Sequence, residues 1–397
     1  MPKCSPPYCH LSRIGEPVKK IILVAGARPN FMKIAPIMRE IEKHPADLRG
    51  IIVHTGQHYD QNMSGNFFHS LGIKDPEYNL EVGSGTHAQQ TANVMIRFEE
   101  VCANEKPDVV LVVGDVNSTI AAGLVAKKLN IRLCHVEAGL RSGDRTMPEE
   151  INRMATDAIT DIFFTTEKEG TRNLLREGHA SDSVHFVGHV MIDNLFFQLK
   201  KLEAQSAAIV SPKMRSLKKR FAGPYFAMTM HRPSNVDDAE ILGKLLRAIS
   251  EVARNNPIVF PCHPRTRKNI ERFGLLDLTS PIPSGEGPVE SGIFLLEPLG
   301  YDDFLYVWKD ACCVLTDSGG LQEETTALKV PCVTMRTTTE RPITAEVGSN
   351  VVVGTDTNAI IAYAQKAARG GWKACNVPEL WDGRASERIV EVLLRVR

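Results

Sequence analysis

From residue 20 onward, short β-branched runs alternate with helix-length amphipathic stretches, and that alternation restricts the chain to a parallel α/β layout. A first series of runs lies at 20–26, 50–55, 108–113, 131–136, 161–166 and 184–187. A polar segment at 202–220, containing Ser206, Ser211 and Pro212, interrupts it. The pattern then restarts at 225–230, 257–262, 293–297, 312–316, 330–335 and 350–353. Two doubly wound domains in series are expected, an N-terminal one over 19–200 and a C-terminal one over 201–379. The last helix, around 380–397, is a candidate to pack back on the first domain. In open α/β sheets ligands collect at the carboxyl ends of strands, so the expected active site is a crevice shared by the two domains.

A length of 397 residues also suggests about two domains, each able to hold its own core. Equal counts of acidic and basic side chains, 47 of each, argue against a general nucleic-acid grip. No apolar run approaches a membrane span, and residues 1–18 lack the apolar core of a secretion signal, so they read as a disordered extension. The nine cysteines form no CxxC pair. Cys134, Cys262, Cys312, Cys313 and Cys332 fall in apolar runs, as expected of buried reduced thiols in a cytosolic protein. Cys4, Cys9 and His10 have a spacing that reads as chance, and no metal site is expected.

The polar residues after each run carry the chemistry. Asp317-Ser318-Gly319-Gly320-Leu321-Gln322-Glu323-Glu324 reads as strand, tight turn and helix, with the helix starting at the glycines. Free N–H groups there carry the positive end of the helix dipole, and glycine lets an oxyanion approach the backbone. Taken alone the block could be an ordinary turn. Its neighbours point to a phosphate site: Ser318 can cap the turn or donate, one of Glu323 and Glu324 should face inward to accept from sugar hydroxyls, and Arg341 offers a fork-shaped cation. In the first domain, Gly26-Ala27-Arg28-Pro29-Asn30-Phe31-Met32-Lys33 is not GxGxxG, which gives a dinucleotide site little support. Its Arg28 and Lys33 are either surface cations or ligand contacts. Asp115 either caps the next helix or acts on a ligand. Glu137, Arg141, Glu149, Glu150 and Arg153 crowd two further loops, and some of them should simply pair. His231-Arg232 and His263-Pro264-Arg265 end strands of the second domain, and Arg232 should make His231 resist gaining charge. A diphosphate held by one domain and carboxylates offered by the other suit breaking a glycosyl C1–O bond.

The blocks Gly-Ala-Arg-Pro-Asn-Phe-Met-Lys (26–33), His-Thr-Gly-Gln-His-Tyr-Asp (54–60), Gly-Asp-Val-Asn-Ser-Thr (114–119), His-Val-Glu-Ala-Gly-Leu-Arg (135–141) and Pro-Glu-Glu-Ile-Asn-Arg (148–153) occur in order, followed by the Asp-Ser-Gly-Gly and Thr-Glu-Arg-Pro blocks. With them the chain, from about residue 19 to its end, closely resembles the non-hydrolysing UDP-N-acetylglucosamine 2-epimerases. The resemblance implies a GT-B arrangement of two Rossmann-like domains, a homodimer, and interconversion of UDP-GlcNAc and UDP-ManNAc without a cofactor. It places the catalytic groups on Asp115, Glu137, Glu149 and His231. UDP-sugar contacts fall on Arg28, Lys33, Ser318, Gly319, Gly320, Glu324 and Arg341, and the candidate set adds Arg141, Arg232, His263, Leu299 and Phe304. The implied route is elimination of UDP to a 2-acetamidoglucal and re-addition, in a cytoplasmic enzyme that feeds a surface polysaccharide. Three departures stand out: His-Arg-Pro-Ser-Asn replaces a more usual His-Arg-Arg-Glu, His189 takes the place of an Asn, and Gln57 keeps one of two allosteric glutamines while Asp60 takes the other place. Competing readings are an epimerase of a modified sugar such as UDP-2,3-diacetamido-glucuronate, a GT-B glycosyltransferase, a hydrolysing epimerase and a non-catalytic UDP-sugar sensor.

Overall fold

The computed structural model describes residues 18–56, 65–282 and 285–396. Residues 1–17 of the expected extension, with Cys4, Cys9 and His10, and also Gln57 and Asp60, lie outside the described residues. The chain divides into two units, one running to Phe186 and taking in Ser386–Arg397, the other Val187–Ala385.

The first unit is built on strands β1 (Lys19–Ala25), β2 (Leu48–His54), β3 (Tyr78–Asn79), β4 (Val109–Val113), β5 (Arg132–Val136), β6 (Ile162–Thr165) and β7 (Val184–Phe186). They form one parallel sheet in the order β3-β2-β1-β4-β5-β6-β7. Residues 21–25 of β1 and all of β4 are buried, the signature of strands covered by helices on both faces. The chain reverses direction across the sheet at the β1–β4 junction, which makes the loops after β1, β4 and β5 the natural ligand-facing set. Strand β3 escapes the sequence pattern because two residues cannot show a period. The C-terminal helix Ala385–Arg395 ends against β1, where the Lys19 ammonium donates to the carbonyls of Leu393 (3.3 Å) and Leu394 (2.9 Å). A cation satisfying the last carbonyls of a helix also suits its dipole.

The second unit holds β8 (Phe226–Thr229), β9 (Pro257–Pro261), β10 (Gly292–Leu296), β11 (Cys313–Thr316), β12 (Cys332–Thr334) and β13 (Asn350–Val352), parallel, in the order β10-β9-β8-β11-β12-β13. Its reversal lies between β8 and β11, the strands that precede His231 and Asp317. Two apolar clusters cover the sheet's faces, one around Phe226, Phe260 and Leu315, the other around Trp308, Val314 and Trp381.

The segment expected as a polar break is mostly helical. Helix Val190–Ile209, with a non-helical Gln205, runs through the expected boundary at 200/201 and belongs to the second unit, and helix Pro212–Lys219 follows. Leu202, Met214 and Leu217 are buried there, so its polar residues mark the outer face of amphipathic helices rather than a linker. Cys134, Cys262, Cys313 and Cys332 are buried free thiols, and burial pushes Cys262 up to about 12, whereas Cys312 is only half-buried. Among the described residues no helix is long and apolar enough to cross a membrane.

Candidate active site

In the first unit, β1 leads directly into helix Arg28–Ile41. Arg28 is its first residue, exposed, with the guanidinium 5.0 Å from the Phe67 ring centroid. One turn further in, the Lys33 ammonium forms an ion pair with the carboxylate of Glu137, which is 3% exposed and has a backbone φ of +68°. A non-glycine residue in that region is a strained backbone position of the kind that clusters at functional sites.

Asp115 does not cap the helix that follows it. The N-cap of Asn117–Lys128 is Val116, and the Asp115 carboxylate instead accepts from Arg153 Nε (3.0 Å) and Nη2 (2.7 Å). The third guanidinium nitrogen of Arg153 donates to Glu150 at 2.5 Å. Glu150 also accepts from the backbone N–H groups of Ser142 (2.9 Å) and Gly143 (3.1 Å). Burial pushes its carboxyl up, but those N–H groups and Arg153 outweigh it and hold the group below the usual carboxylate range. The paired glutamates therefore part company. Glu150 braces a loop, while the Glu149 side chain is exposed and, among the described residues, makes no hydrogen bond or ion pair.

Arg141 is engaged by the protein rather than held out for a ligand. Its guanidinium meets Asp157 at 2.8 Å and Glu177 at 2.9 and 2.6 Å. Sequence reading missed the group behind it, His135 and Asp157, both 0% exposed and hydrogen-bonded at 2.7 Å. A histidine inside an apolar strand and an aspartate well inside a helix resemble core noise, so no local signal marked them. Also missed were Asn152, which donates to the Asp115 carbonyl (2.9 Å), and Asn117, which donates to Gln90 (2.9 Å) and whose amide nitrogen lies 3.1 Å from His87 Nδ1.

In the second unit, helix Gly319–Leu328 begins at the glycines, as the sequence predicts. Ser318 is its N-cap residue but makes no side-chain cap, and its N–H donates to Thr316 Oγ1 at 2.9 Å. A Cβ on Gly320 would meet nothing within 4 Å, and one on Gly319 would meet only a Glu340 oxygen at 3.8 Å. The helix start is thus uncrowded around both glycines, and an anion reaching its first N–H groups would be stabilised there.

Glu323 and Glu324 lie past the first turn, and both are buried. Glu323 accepts from His189 Nε2 at 2.9 Å and pairs with Arg341, so Arg341 already has an anionic partner. Glu324 accepts from the Tyr301 hydroxyl at 2.7 Å. Burial pushes the Glu324 carboxyl up to about 7. An acid raised on folding adds stability that is present below its unfolded value near 4.5 and lost as pH rises through about 7. We expect Glu324→Gln to stabilise the free protein by on the order of 2–3 kcal/mol at pH 8 and by far less at pH 4.5, measured by denaturant unfolding at both.

His231 Nδ1 lies 3.0 Å from the fully buried Asp317 carboxylate, which also accepts from the N–H groups of His231 (2.9 Å) and Arg232 (2.8 Å). Burial raises Asp317, but the His231 contact and the backbone donors overcome it and hold the carboxyl down. Asp317 is thus the charged side chain bonded to the His231 ring. Arg336 makes a two-pronged contact with Glu340 (2.7 and 2.8 Å), which outweighs burial and holds Glu340 at about 2. A depressed acid stabilises above its unfolded value, and this contribution should fade as pH falls from about 4.5 to about 2. Acid titration of Glu340→Gln should lack that component. His263 caps helix Pro264–Arg272 by accepting from Arg265 N–H at 3.2 Å, and Leu299 and Phe304 pack on the core, so these three have structural employment.

Two parallel Rossmann-like sheets, one presenting carboxylate–cation pairs and the other a glycine-started helix with nearby arginines, define a nucleotide-sugar protein of GT-B type. The family model for UDP-N-acetylglucosamine 2-epimerase matches residues 39–394, and the chain belongs to that family. It is similar to the UDP-GlcNAc 2-epimerase of Methanocaldococcus jannaschii, crystallised in complex with UDP-GlcNAc and UDP, with 41% identity over 95% of this chain and 99% of that one and a TM-score of 0.77. The Neisseria meningitidis UDP-GlcNAc 2-epimerase bound to UDP-GlcNAc is 30% identical over 95% and 100% of the two chains, with a TM-score of 0.80. The UDP-2,3-diacetamido-2,3-dideoxy-D-glucuronate 2-epimerase of Pseudomonas aeruginosa is 39% identical over 95% of this chain and 100% of its own length.

Proposed function

We propose that the protein inverts C2 of UDP-N-acetylglucosamine reversibly, giving UDP-N-acetylmannosamine. The observation that carries this reading is the pair of carboxylates on neighbouring loops, Asp115 after β4 and Glu137 after β5, each already matched to a cation. The C2 proton has no adjacent carbonyl to acidify it, so direct removal would be far too slow. Elimination avoids the problem. A base takes the C2 proton, C1=C2 forms, and the C1–O bond breaks with its electrons leaving on the UDP β-phosphate oxygen, anti to the departing proton. UDP then re-adds at C1 as a proton is delivered to the other face of C2. Two faces require at least two groups, and Asp115, Glu137 and the exposed Glu149 are the candidates.

The leaving diphosphate is assigned to the N–H groups of Gly319 and Gly320, with Arg341 as a cation, an electrostatic role for preorganised donors. Glu324 would accept from sugar hydroxyls, and His231, oriented by Asp317, would serve beside the diphosphate. The kinship to the Pseudomonas aeruginosa relative gives a second reading for the sugar, a 2,3-diacetamido-glucuronate. Incubation with each nucleotide sugar in deuterated water separates the two. We expect deuterium at C2 and the epimer from UDP-GlcNAc, with activity unchanged by a chelator and without added NAD. Exchange from the diacetamido sugar alone moves the assignment to the second reading, and exchange from neither rejects both. A cytoplasmic homodimer accompanies this reading, and light scattering of the purified chain tests the dimer.

A further inference from the structure

We infer that His135 is a positioning residue for this reaction, a buried bridge that ties the turn bearing Asp115 to the loop bearing Glu137. The inference rests on the epimerase reading above for its catalytic meaning. His135 occupies β5 two residues before Glu137 and is 0% exposed. Its Nε2 lies 2.8 Å from the carbonyl oxygen of Gly114, the residue before Asp115. A carbonyl oxygen only accepts, so Nε2 carries a proton. Its Nδ1 lies 2.7 Å from Asp157 Oδ1, on helix Pro148–Ile159.

The other oxygen of Asp157 accepts from the Gly139 N–H (3.0 Å) and from Arg141 (2.8 Å). A carboxylate bound by a guanidinium and an N–H is an acceptor, so Nδ1 donates as well. The ring thus carries a proton on both nitrogens. Burial of that charge is compensated locally, since His135, Asp157, Arg141 and Glu177 alternate in sign along one hydrogen-bonded chain.

The loop at the far end of the bridge has little freedom. Gly139 has φ +77°, and a Cβ there would fall 2.2 Å from the Gly170 carbonyl oxygen, so only glycine fits. Asn173 donates to the Gly139 carbonyl (2.9 Å), and the Ala138 N–H donates to Phe164 (3.2 Å). Glu137 is held at positive φ between His135 and this anchored stretch. One imidazole therefore sets the separation of the two loops whose carboxylates act on C2. Proton transfer depends steeply on such distances, and a misplacement of about 1 Å can cost on the order of 10²-fold.

The experiment uses the full chain with His135→Asn, which keeps a donor near Nδ1, and His135→Gln, which keeps one near Nε2. For folded variants, checked by circular dichroism and thermal melting, we expect kcat for C2 deuterium exchange to fall at least tenfold. The Kd for UDP, read by calorimetry, should stay within twofold, because the UDP contacts belong to the second unit. A folded variant that keeps kcat within twofold of wild type, or loses UDP affinity in parallel with kcat, overturns the positioning role. Nitrogen-15 NMR of the wild-type imidazole gives an independent reading if the variants do not fold. Protons on both His135 nitrogens are expected, and a single protonated nitrogen overturns the bridge. Wild-type protein that exchanges no C2 proton from any UDP-sugar would reject the epimerase reading, whereas the NMR result would still judge the bridge.

Discussion

Asp115→Asn should lower kcat for C2 exchange by about 10²–10⁴-fold while leaving UDP affinity within twofold of wild type. Asparagine matches the shape of aspartate and can still accept a hydrogen bond from Arg153, but it carries no negative charge to take up a proton or face a cationic sugar. The site tolerates the change in the fold, since Asp115 is 30% exposed and its ion pair is partly solvated. Glu137→Gln should show a similar loss of rate with a larger loss of stability. There the Lys33 ammonium and a 3%-exposed carboxylate form a buried pair, and removing one partner of such a pair costs on the order of 3–5 kcal/mol. Steady-state exchange in deuterated water with calorimetric UDP binding distinguishes these outcomes. Unchanged turnover in Asp115→Asn would sink the acid–base assignment, and lost turnover with intact UDP binding argues against a non-catalytic sensor.

Gly320→Val should abolish UDP binding with little effect on folding. The second residue of helix Gly319–Leu328 faces open space, so a valine side chain meets no protein atom from its Cβ out to 4 Å. The expected change in stability is within about 1 kcal/mol, since valine is comparable to glycine in helix propensity to within that range. The same side chain would project into the space above the helix N–H groups where the diphosphate is proposed to sit. Losing donors of this kind costs about 10²–10³-fold in rate, and we expect at least that in UDP affinity. Unimpaired UDP binding by a folded Gly320→Val protein would move the phosphate site elsewhere. Ala at this position is the graded control, with an intermediate effect.

The parallel sheets are legible in the sequence because buried strands such as β1 and β4 are continuous apolar runs, and their period separates cleanly from that of the helices between them. The loops that carry Asp115, Glu137, His231 and Ser318 are legible for the same reason, since each follows such a run. What a side chain does inside its loop is not legible, because hydrogen bonding there is long-range. Arg141 resembles a ligand arginine until Glu177, far along the chain, takes two of its donors. Glu149 and Glu150 are indistinguishable by sequence, yet the helical turn after Pro148 aims one inward at Arg153 and leaves the other in solvent. His135 and Asp157 join only when β5 and helix Pro148–Ile159 pack, so neither residue signals the pair alone. Ser318 shows the reverse case, a residue type that usually caps, at a helix start where its side chain does not, which removes one of the two roles open to it in the sequence.

His189 adds a case in which a departure from the family pattern acquires a physical role. Its Nδ1 accepts from the Met191 N–H (3.2 Å), which assigns the proton to Nε2 and makes that nitrogen a donor to Glu323. Glu323 in turn holds Arg341, so the substituted residue orients a proposed diphosphate contact.

In the proposed reaction UDP leaves C1 and returns to it. UDP-GlcNAc carrying oxygen-18 at the bridge between C1 and the β-phosphorus tests this directly. If the C1–O bond breaks, the freed β-phosphate can rotate before recapture. Substrate recovered after partial turnover should then carry the label in non-bridging positions, alongside deuterium at C2. Deuterium at C2 with all of the oxygen-18 still in the bridge would contradict elimination and require C2 to exchange with the glycosyl bond intact.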